Sequence, residues 1–299
     1  MSLPSVTVIT VCRNAARVIP DTLRSVAEQT YPALEYIIID GASTDGTADL
    51  CRTAAAGMSG RQGRSVIIVS EPDGGVYEAM NKGVARATGD WVCFMNAGDS
   101  FTSADAVYRL FRAASRDLER VEVLYGNAVL VKDFGRVPLK PKPIGSLAER
   151  MAFCHQAAFT RLETLRAMPF RTAFRIAADY DFFFRLWQSR GEEAFLYCDE
   201  DVAAFEAEEG MSSRDPLAHV REYARIRGVD GRLAWRVWYV GKALRVHLKA
   251  ALQRLLPERL VQTIRRRNYE RLRRRRLGAS QPDTGAGGVQ SLSPRDSRS

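Results

Sequence analysis

The sequence predicts an α/β fold: a mostly parallel central sheet with helices on both faces, followed by basic amphipathic helices at the C-terminus. Three observations carry this. Four short runs within the first hundred residues are apolar along their whole length, as strands buried on both faces must be. Stretches with helical spacing separate them, the connection that parallel strands need. Near the C-terminus an apolar stripe of helical period lies among arginines and lysines.

The elements follow in order. Val6-Thr7-Val8-Ile9-Thr10-Val11 is β-branched and bounded by Pro4 and Arg13-Asn14, a strand. Leu23, Val26 and Ala27 place one apolar face on a helix over residues 20–28. Tyr36-Ile37-Ile38-Ile39 is the second strand; the Thr and Asp residues of 40–46 cap a helix over 47–56. Residues 65–70 are a third strand, 76–87 a helix ended by Gly89, and 91–95 a fourth strand. Beyond this the pattern loosens: a helix over 104–118, strands at 121–124 and 128–132, a loop over 138–143, a helix over 177–189 and a strand at 195–198. Leu233, Val237, Val240, Leu244, Leu248, Ala251 and Leu255 form one continuous stripe on a helix over 231–256, which Pro257 ends or kinks.

The chain has 299 residues, 46% of them hydrophobic, which excludes a disordered protein. Its net charge of +9 is unevenly divided. Residues 1–213 carry 23 basic and 28 acidic side chains, a balance of −5; residues 214–299 carry 21 and 7, a balance of +14. The division predicts a catalytic domain over 1–213, a basic helical segment over 214–277 and a disordered tail over 278–299 poor in large apolar residues. Five cysteines lie far apart with no C-x-x-C pair, so neither a zinc site nor a disulfide framework is expected. No signal peptide and no apolar run of the roughly 20 residues a membrane span needs are visible, so a cytoplasmic setting is expected.

Ligands of an open parallel sheet bind beyond the carboxyl ends of its strands. Those ends here are Thr10 to Asn14, Asp40 to Asp45, Glu71 to Gly75 and Asn96 to Asp99, each polar or acidic. No Gly-rich loop follows the first strand, which disfavours a dinucleotide fold and a P-loop enzyme. Carboxylates converging on one cleft suit a hard divalent cation, which in turn neutralises a diphosphate.

These residues carry a resemblance. Val6 to Val11 with Arg13-Asn14, Ser25-Val26 through Gln29-Thr30-Tyr31-Pro32, Ile39-Asp40-Gly41-Ala42-Ser43-Thr44-Asp45-Gly46-Thr47, Glu71-Pro72-Asp73-Gly74-Gly75-Val76-Tyr77 with Ala79-Met80-Asn81-Lys82-Gly83, and Ala87-Thr88-Gly89-Asp90 with Phe94-Met95-Asn96-Ala97-Gly98-Asp99 together resemble family 2 glycosyltransferases. These are inverting enzymes of the GT-A (Rossmann-like) fold, a type found in bacterial surface polysaccharide biosynthesis. A second block, Phe153-Cys154-His155-Gln156 and Ala177-Ala178-Asp179-Tyr180-Asp181, resembles their acceptor half, placing the nucleotide-sugar half at 1–100 and the acceptor half at 101–213.

The resemblance implies that Thr10, Asp40 and Asp73 line the nucleotide pocket of a UDP- or GDP-linked donor, with Arg13, Lys82 and Asn96 contributing. His155 would touch diphosphate or acceptor. Gly41 stands where the family often has a second aspartate, leaving open which side chain reads the base. Asn96-Ala97-Gly98-Asp99 keeps only the final carboxylate of the family's metal motif, so Asp99 is the implied ligand of Mg²⁺ or Mn²⁺. Asp179 and Asp181 lie about 200° apart around a helix and cannot face one site. The resemblance makes Asp179 the catalytic base, while Asp181 is placed to pair with Arg185.

The basic segment adds Arg265 to Arg276 to the amphipathic helix. Together they read as an anchor on an anionic membrane surface, here the inner face of the plasma membrane, suiting a saccharide or polyprenyl-linked acceptor. No recognised nucleic-acid module accompanies the arginines, so no nucleic-acid partner is expected. The competing functions are a nucleotidyltransferase and a non-catalytic glycosyltransferase-like membrane scaffold.

Overall fold

The structure is a computed structural model that describes residues 3–58, 64–132, 135–206 and 215–255, with Arg267 and Glu270. Met1–Leu255 forms one compact unit and Leu256–Ser299 a second. Of the second, only those two residues are described; the expected polybasic run around them, Pro257 and the tail at 278–299 otherwise lie outside the described residues.

The amino-terminal half follows the apolar runs. Strand β1 (Val6–Cys12) lies between β2 (Leu34–Asp40) and β4 (Trp91–Phe94), and β3 (Ser65–Ser70) flanks β2. All these pairings are parallel, with Ile9 opposite both Ile37 and Phe94. Helices α1 (Ile19–Ala27), α2 (Thr47–Met58) and α3 (Val76–Arg86) make the crossovers. Side chains alternate along the strands. Ile9, Val11, Ile37 and Ile39 enter one core beneath α3; Val6, Val8, Tyr36 and Ile38 enter another beneath α1 and α2. On α3, Gly83 permits the close approach, because a Cβ there would stand 2.6 Å from Ile9 Cγ2.

The second half keeps the two covered faces but mixes strand directions. After β5 (Ser100–Phe101) and α4 (Ala106–Ala113), β6 (Val123–Lys132) runs unbroken through both expected strands, with a bulge near Asn127. It pairs in antiparallel fashion with β7 (Gly135–Leu139), part of which falls in the expected loop at 138–143. Strand β8 (Ala158–Arg161) inserts between β4 and β6, antiparallel to both. The carboxyl end of the parallel strands thereby receives the chain that enters β8. Helices α5 (Leu162–Ala167) and α6 (Ala178–Arg190) follow, then β9 (Phe195–Glu206), which runs well past the expected four residues.

Helix α6 buries Tyr180, Phe182, Phe183, Phe184 and Leu186. Each such aromatic contributes roughly 1.5–3 kcal/mol when buried. Asp181 is buried and meets Arg185 Nε at 2.9 Å, the expected i, i+4 pair. Helix α7 (Pro216–Ile226) opens on Asp215, whose carboxylate accepts the Ala218 N–H at 2.9 Å, with proline in the first turn. Its Tyr223 stacks on Tyr180 of α6, so the basic side of the 213/214 charge division begins with a helix packed on the sheet's own layer. Helix α8 (Leu233–Leu255) follows the predicted stripe.

Candidate active site

At the first three strand ends the side chains sort into enclosed and open ones. Asp40 is fully buried; its carboxylate accepts the Ser43 N–H at 3.1 Å, the Ser43 hydroxyl, the Ser70 hydroxyl at 2.6 Å and the Cys12 thiol at 3.7 Å. Burial pushes its pKa up, but the hydroxyl and N–H donors outweigh burial and hold it below the usual carboxylate range. Asp40 therefore joins the ends of β2 and β3. Thr10 is also fully buried, donating to the Met95 carbonyl at 2.7 Å and lying 2.9 Å from the Tyr36 hydroxyl. Its hydroxyl is bonded within the sheet, at the end of β1 beside the loop after β4.

Asp73 is less enclosed than Asp40. It accepts the Gly75 N–H at 3.0 Å, and its Oδ2 stands 2.6 Å from where a Gly41 Cβ would be. A side chain at Gly41 would displace the far end of Asp73, with the Arg13 stem 3.3 Å from the same point. Asn14, at φ 49°, accepts the Thr44 N–H at 2.9 Å and joins the loops after β1 and β2. Lys82 donates to the Pro72 carbonyl at 2.8 Å and pairs with Glu71 at 3.1 Å and Glu78 at 3.3 Å. It ties the β3–α3 loop to the start of α3.

The fourth strand end holds the groups suited to chemistry. Thr22 on α1 fixes the 96–99 turn, donating to the Asp99 carbonyl at 2.7 Å and accepting the Gly98 N–H at 3.0 Å. Because β8 is antiparallel to β4, the short turn His155–Ala157 that leads into it lies against this loop. Gln156 Nε2 donates to Asp99 Oδ2 at 3.0 Å, and His155 Nε2 stands 3.4 Å from Asn96 Nδ2. On its other side, His155 Nδ1 meets Asp179 Oδ2 at 3.1 Å, and the Tyr77 hydroxyl reaches Asp179 Oδ1 at 3.0 Å. The contact with Asp179 places a proton on Nδ1, while the role of Nε2 toward Asn96 follows the charge state of the ring.

Burial alone would raise Asp179, but the His155 bond and charge, the Tyr180 N–H and the Tyr77 hydroxyl together hold it below the usual carboxylate range. For His155 burial alone would lower the pKa; the bond and charge of Asp179 and the charge of Asp99 reverse this and raise it. Asp99 differs from both. Burial pushes its carboxyl up to about 6, against the opposing pull of Gln156 and His155.

Asn96, Asp99, His155 and Asp179 are thus linked in one network through the His155-Gln156 turn, while Asp73 and Arg13 stand together at Gly41. Tyr77 and Gln156 are the members that the sequence reading leaves without a role, although both lie inside the resembling motifs.

The sequence profile described as Glycosyl transferase family 2 matches residues 7–168, more than half of the chain. The chain belongs to this family. This family 2 glycosyltransferase is 33% identical over 190 residues to a PGL/p-HBAD biosynthesis glycosyltransferase of Mycobacterium tuberculosis, a match spanning 63% of this chain and 72% of that one. Among solved structures it is similar to S. aureus TarS 1-349 in complex with UDP, with a TM-score of 0.57 at 18% identity. That likeness covers 76% of this chain and 65% of TarS 1-349, so the chain spans a little under two thirds of it. It is likewise similar to the mannosyltransferase PcManGT of Pyrobaculum calidifontis in complex with GDP-Man and Mn²⁺, with a TM-score of 0.56 at 22% identity over 75% of this chain and 63% of that one. At these identities the likeness is one of fold, and it is the GT-A arrangement that the sequence motifs imply.

Proposed function

We propose that the protein transfers a sugar, with inversion, from a UDP- or GDP-linked donor to a hydroxyl of a saccharide or lipid-linked saccharide. One observation carries this reading. A half-buried carboxylate held below the usual range, Asp179, is joined through the His155-Gln156 turn to a second carboxylate, Asp99, that no lysine or arginine pairs with among the described contacts. In-line attack needs both kinds of group. The acceptor oxygen bonds to the anomeric carbon as the bond to the diphosphate oxygen breaks, and Asp179 takes the acceptor proton. His155 and Tyr77 hold the carboxylate in place for that transfer. Asp73 and Arg13 stand at the nucleotide end, on the loops that a donor base would meet.

Among the described residues no group of three His, Cys, Asp or Glu side chains could hold a metal. A smaller seat fits a hard cation: Asn96 Oδ1 is buried without a hydrogen-bond partner, and desolvation raises the Asp99 carboxyl against the pull of Gln156 and His155. With two donor oxygens, Asp99 and Asn96 would hold Mg²⁺ or Mn²⁺ through a short ligand set completed by water and phosphate. The cation would supply charge neutralisation of the departing diphosphate.

The relative named for PGL/p-HBAD biosynthesis supports a place in surface glycan assembly. A panel including UDP-GlcNAc and GDP-mannose, read by thermal shift and by released product, tests the reading. Nucleoside diphosphate and an inverted anomeric centre are expected. Pyrophosphate would identify a nucleotidyltransferase instead, and binding without turnover a scaffold.

The membrane reading has a surface to rest on. No described helix is long and apolar enough to cross a membrane. Yet the α8 stripe stands in the open, from Leu248 at 57% exposed to Leu233 at 77%, with Val237, Val240 and Leu244 between them. Arg236, Lys242 and Arg245 lie beside the stripe, and Lys242 Nζ sits over the Trp238 ring at 5.2 Å. An apolar face edged by basic residues and tryptophan matches an anionic bilayer, where each basic residue contributes about 1 kcal/mol. The protein is expected to float with phosphatidylglycerol vesicles, to be released by salt, and to lose most binding in a Val240→Asp/Leu244→Asp variant. Equal flotation of that variant would remove α8 as the anchor.

A further inference from the structure

Helix α7 grips the turn that carries Asp179. Between α5 and α6, residues 168–177 form neither helix nor strand, so no ladder of regular hydrogen bonds fixes the approach to α6. The Glu222 carboxylate does so instead. Its Oε1 accepts the Arg175 N–H at 2.8 Å, and its Oε2 accepts those of Ile176 and Ala177 at 2.9 and 2.8 Å. Ala177 is the N-cap of α6, two residues before Asp179.

The next residue of α7, Tyr223, lies flat on Tyr180, the residue after Asp179, with ring centroids 4.1 Å apart and planes 8° apart. Two consecutive residues of one helix therefore hold the chain on both sides of Asp179. From the other face the Tyr77 hydroxyl reaches the Ile176 carbonyl at 2.8 Å, in the same turn. Backbone N–H groups at a helix start have no intrahelical partner, and a carboxylate is the group that both satisfies them and suits the positive end of the helix dipole.

We propose that Glu222 is a positioning residue for sugar transfer: by holding the 175–177 backbone it aims the Asp179 carboxylate at the acceptor hydroxyl. Helix α7, on the basic side of the charge division, thereby belongs to the catalytic machinery. This rests on the assignment of Asp179 as the base. A displacement of about 1 Å at a reacting group costs up to ~10²-fold in rate, so releasing this turn acts on the chemical step. The nucleotide is expected on the loops after β1, β2 and β3, none of which Glu222 touches, so donor binding is left alone.

The test uses the full chain and three variants: Glu222→Ala, Glu222→Gln and Asp179→Asn. Release of UDP from UDP-GlcNAc, or of GDP from GDP-mannose, gives kcat and KM. UDP or GDP titration gives nucleotide affinity, and histidine-labelled protein gives the His155 Nδ1–H resonance, sharpened by its bond to Asp179. Glu222→Ala is expected to lower kcat by roughly 10- to 100-fold, with KM and nucleotide affinity within about twofold of the parent. It is also expected to lose the His155 resonance. Glu222→Gln keeps one accepting oxygen but turns an amide N–H₂ toward a backbone N–H, so it falls between the two; it serves alone if the alanine variant does not fold.

Unchanged kcat and an unchanged His155 resonance in a folded Glu222 variant overturn the proposal. A lowered melting temperature with kcat intact does the same, since that is a purely structural role. Full turnover by Asp179→Asn would instead remove the base assignment, while the loss of the His155 resonance in Glu222→Ala would still report the grip.

Discussion

Replacing Asp179 by asparagine is expected to lower sugar transfer by about 10²- to 10⁴-fold, the range that a positioned general base contributes, while leaving nucleotide affinity within about twofold. Asparagine keeps the size of the side chain and still accepts one hydrogen bond. It has no site for the acceptor proton, and its amide N–H₂ turns toward either the His155 N–H or the Tyr77 hydroxyl, where the carboxylate accepts from both. The loss therefore falls on kcat.

A pH signature accompanies it. Asp179 is held below its unfolded value, so its contribution to stability is present above the ordinary carboxylate pKa and is lost as pH falls through the lower folded value. His155 is held above its unfolded value, so its contribution is fully present below about pH 6.5 and is lost as pH rises through the higher folded value. The pair stabilises the fold most between about pH 4 and 6.5, and there the variant's melting temperature should fall furthest below the parent's. Turnover equal to the parent's would remove Asp179 as the base.

The parts of this molecule legible in its sequence are those specified locally. Strands buried on both faces, such as β1 and β2, announce themselves because most of their residues are apolar or β-branched, and α8 because its stripe repeats without interruption. Strand β8 has four residues and exists because β4 and β6 offer it edges on either side, a tertiary cause that leaves no period to read. Helix α7 lies inside the segment expected to be helical, 214–277, but its bounds are not legible because its visible features, Asp215-Pro216 and scattered charges, also occur in connecting segments.

The site divides in the same way. Motif positions point to the strand ends, with Asp99 at the fourth, and to His155 and Asp179 in the second block. They do not say which carboxylate is enclosed. That depends on Ser43 and Ser70 closing over Asp40 and on Gly41 admitting Asp73. Glu222 carries no motif signal at all, because its role lies in reaching backbone rather than substrate.

Substituting Asp99 by asparagine is the second large effect expected, a fall in turnover of roughly 10²- to 10³-fold, the size seen when a group stabilising developing negative charge is removed. The reasoning starts from what surrounds it. Asp99 Oδ2 accepts from Gln156, a neutral amide, and no lysine or arginine pairs with it among the described residues. Burial therefore keeps its carboxyl near pKa 6, above the ordinary value. Holding that charge without a partner costs stability, and the cost grows as pH rises from the unfolded pKa toward 6.

A divalent cation offsets the cost only where the carboxyl is ionised, since proton and cation compete for the same oxygens. In the presence of UDP, Mn²⁺ is accordingly expected to raise the parent's melting temperature at about pH 7.5 and to have little effect at about pH 5. Asp99→Asn loses the Mn²⁺ effect at both pH values and melts no lower than the metal-free parent at the higher one, because it removes a charge whose desolvation Gln156 and His155 only partly offset. A Mn²⁺ response that survives in the variant would place the cation elsewhere, and full turnover with the response abolished would separate cation binding from catalysis.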